Sequence, residues 1–496
     1  MLGLSRIGIS CRRLRRCGRR SLHALGYLVA IASLSGTACA PSSLIDVESP
    51  STVVDPSQAQ TAKGASQLRL TALYTVVGAL GSNKIRSVIP MSGLLTDELQ
   101  DVVFGGDALV SGDDRQVISP TIGDGKNVDG YAYDVIQIAR VDVRQALQAL
   151  QLYGNNVSGV PRAWQGEMYA MQGYTVVWLA ELFCSGVPLS QSALIGSQVP
   201  TRGLTTEELL RTAVALFDSA VVAGADSAQY VNLALVGKGR ALLDLGEFAA
   251  ADSAVRNVPT DFVYALPTPN SGNTFSLPTG DVPGVSVRVQ DREGSNGLVW
   301  STDPRTGVAT EESSTGDMLR PAKYNMNPST NLPDPDTWRP NVPIRVADGL
   351  EARLIQAEAQ LALGSANWLT ILNTLRSTCI GTAACAPIIG LTASSLPPLA
   401  DPGPATRLDT LMKERAMWLY LTGHREGDLR RMAHVYGRDP ETLWPTGTFL
   451  EPGFPSLNDE PGPQNGTLYG SDVVYAPDIN EHARNPNYRG CYDTNP

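Results

Sequence analysis

Beyond residue 38 the chain has no run of eighteen uninterrupted apolar residues, so no transmembrane helix is expected. The local signatures of common enzyme classes are missing too. There is no G-x-S-x-G elbow, Walker loop, H-E-x-x-H or C-x-x-C pair. Histidine is scarce, and His424, His434 and His482 lack the spacing of metal ligands or of a catalytic pair. Carboxylates are plentiful, so counting does not exclude a glycosidase pair, but nothing marks one out. Aromatic residues make up only 6% of the chain, which leaves no particular ligand favoured by composition.

Acidic residues are absent from the first 38 positions, which hold seven arginines between Arg6 and Arg20. An apolar run from Ala24 to Leu34 follows, then Gly36-Thr37-Ala38-Cys39. A basic head, a short apolar stretch and small residues make an export signal over 1–38. Cys39 after Ala38 points to a lipoprotein, its thiol acylated and the lipid holding the chain to a membrane. Gly36 stands where the usual box has Leu, and Ala38-Cys39-Ala40 also reads as an ordinary A-x-A cleavage site.

Removing the signal leaves 32 basic against 49 acidic residues, a formal net charge of −17. That charge argues against nucleic acid as a partner and against adhesion to anionic lipid. Of the later cysteines, Cys379 and Cys385 flank a five-residue loop, the shortest bridge available. A Cys184–Cys491 bridge follows by elimination in an oxidising compartment, against the alternative of a buried free thiol at Cys184.

Residues 39–60 read as a tether, and helical periodicity begins near Gln58 and runs through Leu80. Further helices are expected over 131–153, from Ala163 to Cys184, and over 405–435 with a turn at Thr422-Gly423. Thr205 and Glu208 have capping-box spacing. Residues 234–255 and 352–373 share Ala-x-Leu-x-Leu-Gly. Each reads as a helix, a glycine able to take the left-handed cap conformation, and a second helix folding back, the hairpin unit of tetratricopeptide repeats. Between them, about 259–343, lies a proline-rich insertion in which Ser286-Val287-Arg288-Val289 suits a short strand.

Several stretches taken in order resemble one family. They are the lipobox, Leu44-Ile45-Asp46-Val47 with Pro50, the helix opened by Arg162-Ala163, and Cys184-Ser185-Gly186-Val187-Pro188-Leu189. Ala357-Glu358-Ala359, Leu372-Asn373-Thr374-Leu375-Arg376, Glu414-Arg415 and Gly423-His424-Arg425-Glu426-Gly427-Asp428-Leu429-Arg430-Arg431 complete the set. The pattern is similar to the SusD/RagB lipoproteins and covers essentially the whole chain after the signal, with 61–496 expected as the folded domain. The resemblance implies a single, mainly α domain, a superhelix of degenerate tetratricopeptide-like hairpins with long irregular loops and few short strands. It also implies a surface-exposed, lipid-anchored location on a bacterial outer membrane. The expected work is non-catalytic capture of a glycan or other oligomeric nutrient for a SusC-like TonB-dependent barrel. Two other readings remain: an exported tetratricopeptide scaffold that binds protein, and a secreted glycoside hydrolase.

Sugar rings stack on exposed aromatic faces. Trp178, Trp368 and Trp418 fall within helical patterns and read as core. Trp300, Tyr324 and Trp338 lie in the insertion among polar neighbours such as Asp303, Arg305 and Asn325, and are the candidate ligand-binding residues. The alternative is that they anchor long loops to the body. Tyr131 and Tyr133 beside Asp124 and Asn127 form a weaker set. Glu414, Arg415, Arg425, Asp428, Arg430 and Arg431 read as ion pairs fixing a hairpin rather than as an anion site. No cofactor is expected. Gly105-Gly106-Asp107 and Gly112-Asp113-Asp114 offer oxygens to calcium, but EF-hand spacing is absent and turn chemistry explains them equally well.

Overall fold

Thr61 opens the first helix by accepting a hydrogen bond from Gly64 N (3.0 Å), which satisfies one of the free amides of the first turn. This helix is α1 (Ala62–Val77), continued by a π turn over Gly78–Ser82. The structure, a computed structural model, describes residues 60–82, 87–101, 114–117, 129–155, 157–191, 199–266, 287–288, 292–293, 297–306, 308–311, 318–321, 343–379, 396–448, 468–478 and 480–496. The expected signal, Cys39 and all of the tether but residue 60 lie outside these residues, as do Tyr324, Trp338, Cys385 and Gly105-Gly106-Asp107.

Twelve helices are present among the described residues. After α1 come α2 (Val88–Leu95), α3 (Asp129–Ala149), α4 (Ala163–Leu182), α5 (Thr206–Ala223), α6 (Ala228–Asp244) and α7 (Phe248–Val255). Then follow α8 (Gly349–Ala362), α9 (Asn367–Thr378), α10 (Arg407–Trp418), α11 (Arg425–His434) and α12 (Asn480–Arg484). Among the described residues, strands are short and pair in twos, antiparallel. The fold is mainly helical, as the periodicity predicts. None of these helices is long and apolar enough to cross a membrane.

Helix α4 is the central element. The sequence shows one apolar stripe, but the helix is buried along nearly its whole length, packed against α3 on one side and α5 and α6 on the other. Glycine makes that crowding feasible. A Cβ at Gly173 would sit 2.7 Å from the Phe217 ring, and one at Gly237 2.3 Å from it. Tyr174 packs edge-on against Phe217 (5.2 Å) and donates to Leu233 O (3.0 Å), binding three helices through one side chain. Trp178, Trp368 and Trp418 are core residues, as read from their spacing.

The capping box at α5 forms in full: Glu208 N donates to Thr205 Oγ1 (3.1 Å) and Thr205 N to Glu208 Oε2 (2.9 Å). Both repeat-like hairpins also form. Gly246 (φ 71°) joins α6 to α7, and Gly364 (φ 73°) joins α8 to α9. The two hairpins are far apart in sequence, yet α8 packs directly on α7. The intervening excursion is closed at its base by strand Val263–Leu266 pairing with Ile344–Asp348. Asp348, the last residue of that strand, then caps α8 by accepting from Glu351 N (2.8 Å). The strand expected at 286–289 is present as Val287–Arg288, paired with Gln100–Asp101.

Candidate functional site

The carboxyl end of α4 leaves carbonyls that its own helix cannot satisfy. Arg430 of α11 meets them. Its Nη1 donates to Ala180 O (2.5 Å), Glu181 O (2.9 Å) and Phe183 O (3.1 Å), placing a cation at the negative end of the helix dipole. Beside it, Glu181 makes a bidentate pair with Arg240 (2.6 and 2.5 Å), and Arg240 also donates to Gly423 O (2.9 Å). Arg240 Nη1 lies 2.9 Å from Nε2 of His424, whose pKa is lowered by burial and by that guanidinium.

Arg431, the next residue, holds three acids. It meets Glu358 twice (2.7 and 2.9 Å), Asp428 (2.7 Å) and, through Nη1, Asp244 Oδ1 (2.7 Å). Arg415 closes the network onto Asp428, and Glu414 receives Arg305 and Arg376. The ion-pair reading of this cluster is what the packing shows. Arg430 departs from it by bonding main-chain carbonyls in place of a carboxylate.

Of these groups, Glu181, Asp244, Arg430 and Arg431 line a cavity of about 610 Å³. One wall is the start of α5, with Thr205, Thr206, Glu207 and Arg211, and another is the end of α6, with Asp244 and Leu245. The remaining wall is the C-terminal tail, including Tyr492, Asp493 and Asn495. The tail is laced to the segment after α4. Tyr475 N donates to Leu182 O (2.9 Å), Cys184 N to Tyr475 O (2.8 Å), Ser185 N to Asp493 O (3.0 Å) and Tyr492 N to Ser185 O (2.7 Å). A disulfide joins Cys184 to Cys491, Cα atoms 5.7 Å apart, so Cys184 is not a free thiol. Cys379 is also disulfide-bonded.

Two features single the cavity out. Asp244 is nine-tenths buried on its wall, and burial first, then the charge of Glu181, pushes its carboxyl up to about 8 against the pull of Arg431 and Arg240. Its Oδ2 has no hydrogen-bond partner. Tyr492, 46% exposed, is the aromatic ring on the cavity wall, and its hydroxyl is tied to Gly203 O (3.2 Å).

Trp300 corrects the sequence expectation. It is fully buried, donates Nε1–H to Asp97 O (3.1 Å) and packs on Tyr420 at 4.9 Å. It anchors its loop and offers no face to a ligand. Two of its polar neighbours are structural as well, Arg305 being buried between Asp303 and Glu414, while Asn325 lies outside the described residues. Tyr133 is likewise buried, its hydroxyl donating to Glu481 Oε2 (3.2 Å). His434 borders the cavity, while His482 packs on Tyr488. No group of acidic, His or Cys side chains among the described residues is placed to hold a metal ion. Periodicity could not find the cavity, since its residues come from five separate segments.

No family model matches the sequence, and no curated protein matches it. Solved structures do. A SusD superfamily protein from Bacteroides vulgatus is 15% identical, with 87% of this chain and 99% of that one covered at a TM-score of 0.52. A SusD-like carbohydrate binding protein from the same organism is 12% identical, with 86% and 97% covered at 0.56. A SusD-like carbohydrate binding protein from Bacteroides fragilis is 15% identical, with 87% and 99% covered at 0.55. The fold is SusD-like. The fold that the sequence resemblance implies is therefore the one observed, including helical hairpins that the insertion separates in sequence and packing reunites.

Proposed function

We propose that this SusD-like chain captures a glycan or other oligomeric nutrient at the cell surface and passes it to a SusC-like TonB-dependent barrel in the outer membrane. Cys39 carries the lipid that holds it there, and residues 61–496 act as one binding domain. The observation that carries this reading is the SusD-like fold over 87% of the chain, shared with proteins described as carbohydrate binding. The export signal and the acidic body agree with it: a net charge of −17 after the signal disfavours adhesion to anionic lipid, so a lipid tether is the means of retention. The work needs recognition and hand-over but no bond breaking.

The test is a mild-detergent pull-down of the tagged protein from its own outer membrane, with every co-purifying chain identified. A stoichiometric TonB-dependent barrel is expected. Recovery of the chain alone, or only with soluble proteins, would overturn the delivery role.

A further inference from the structure

Arg240, Arg415 and Arg431 each hold a carboxylate through two nitrogens, on Glu181, Asp428 and Glu358 in turn. Arg430, only 6% exposed, meets no carboxylate among the described residues. All its bonds leave from Nη1, to the carbonyls of Ala180, Glu181 and Phe183. Its Nε and Nη2 make no bond among the described residues, yet neither atom is sealed from solvent, and Arg430 lines the cavity. The free edge is the paired-donor side of a guanidinium, which matches the two oxygens of a carboxylate.

The surrounding acids do not supply the missing charge. Glu181 is bound to Arg240, and Glu207 to Arg211. Burial holds the carboxyls of Asp244 and Glu426 up at about 8, so near neutrality both are largely uncharged. Asp493 in the tail is exposed, and its charge reaches Arg430 through screening solvent. Burial lowers the Arg430 pKa, as befits a cation short of counter-charge, although a guanidinium stays charged. On another wall stands the amino end of α5, a helix of 18 residues. Its capping box uses the amides of Thr205 and Glu208 and leaves those of Thr206 and Glu207 unbonded. The positive end of that helix dipole therefore bears on the same space.

We propose that this cavity is a binding site for a small organic monocarboxylate, its two oxygens on the Nε–Nη2 edge of Arg430 and its body against Leu210, Leu245 and Tyr492. The volume of about 610 Å³ lies in the range of small-ligand pockets, ~300–1,000 Å³. One unbalanced cation suits one negative charge. Phosphate or sulfate brings a second charge against Asp493 and nothing to cover the apolar wall. The site goes beyond the capture reading, and neither outcome of the barrel pull-down touches it.

The experiment is calorimetric titration of the full chain with butyrate and with benzoate, beside phosphate and sulfate, at neutral pH and an ionic strength held constant with chloride. Saturable binding of at least one carboxylate is expected, tighter than that of either inorganic anion. Arg430→Lys keeps the charge but loses the paired edge, and should weaken the carboxylate about tenfold. Asp493→Asn removes an exposed charge of the same sign as the ligand, and should tighten it about threefold. Should Arg430→Lys fail to fold, Asp493→Asn decides alone. The site is overturned if neither carboxylate saturates, if phosphate or sulfate binds as tightly, or if carboxylate affinity ignores these substitutions.

Discussion

Arg415 and Asp428 clasp each other across the turn from α10 to α11, Nη2 lying 2.8 Å from Oδ1 and Nε 3.0 Å from Oδ2. Both side chains are almost wholly buried, and Arg431 reaches the same Oδ1 at 2.7 Å. Neighbouring guanidinium charges hold the Asp428 carboxyl far below the usual carboxylate range despite its burial. Asp428→Asn keeps the shape but leaves two buried cations short of a counter-charge. The expected cost is about 3–5 kcal/mol, read by urea unfolding. A loss under about 1 kcal/mol would show that Glu358 carries the cluster without Asp428.

Trp300 should behave as a core residue and not as a binding one. Trp300→Ala empties a fully buried site and abandons a hydrogen bond to Asp97 O, for about 3–5 kcal/mol of stability. Ligand affinity of the folded fraction should not move. Thermal melts paired with binding isotherms check both, and a Trp300→Ala protein that stays stable but loses ligand would restore the sequence-based assignment of that residue.

Much of this architecture is legible in the sequence because its causes are local. The capping box needs only Thr205 and Glu208, and the left-handed caps only Gly246 and Gly364. Helix α2 escapes notice because all eight of its residues are buried and Pro90 sits within it, so no polar face gives the period away. The pairing of Val263–Leu266 with Ile344–Asp348 spans the whole insertion, and no local rule reports it. Trp300 is misread because charges beside a tryptophan look like a binding rim, whereas Arg305 is spoken for by Glu414, more than a hundred residues away. The Cys184–Cys491 bridge expected from cysteine count forms and brings the tail back to the end of α4, but nothing local in the sequence reports that a cavity opens beside it.

That disulfide should govern both stability and the cavity wall. It closes a loop of 307 residues and pins the strap that bears Tyr492 and Asp493. A Cys184→Ser, Cys491→Ser double variant should lose about 2–5 kcal/mol. Its helical circular dichroism should persist, since α4, α5 and α6 pack directly on one another. A loss under about 1 kcal/mol would mean that main-chain bonds such as Tyr492 N to Ser185 O suffice to hold the strap.

Glu426 should make the protein lose stability as the solution turns alkaline. Its carboxyl is wholly buried, accepts from Trp444 Nε1 (3.0 Å) through Oε2, and leaves Oε1 without a hydrogen-bond partner. Burial pushes it up to about 8, against the charge of Arg430 and the indole bond. In the unfolded chain the same group titrates near ~4.3. A pKa raised on folding contributes stability that is complete below the unfolded value and is lost as pH climbs through the folded one. Between about pH 5 and about 8 the Glu426 contribution therefore declines, and Asp244, raised by burial and by Glu181, adds to the same slope. Asp428 acts the other way. Its depressed pKa gives stability that is present above the ordinary aspartate range of ~3.9 and fades as pH drops below it. The stability maximum should thus fall in mildly acidic solution. Glu426→Gln, which mimics the protonated acid, should match the parent near pH 5, exceed it near pH 9, and flatten the descending limb. Urea midpoints across that range test this, and parallel profiles for the two proteins would show that Glu426 is already ionised inside the folded chain.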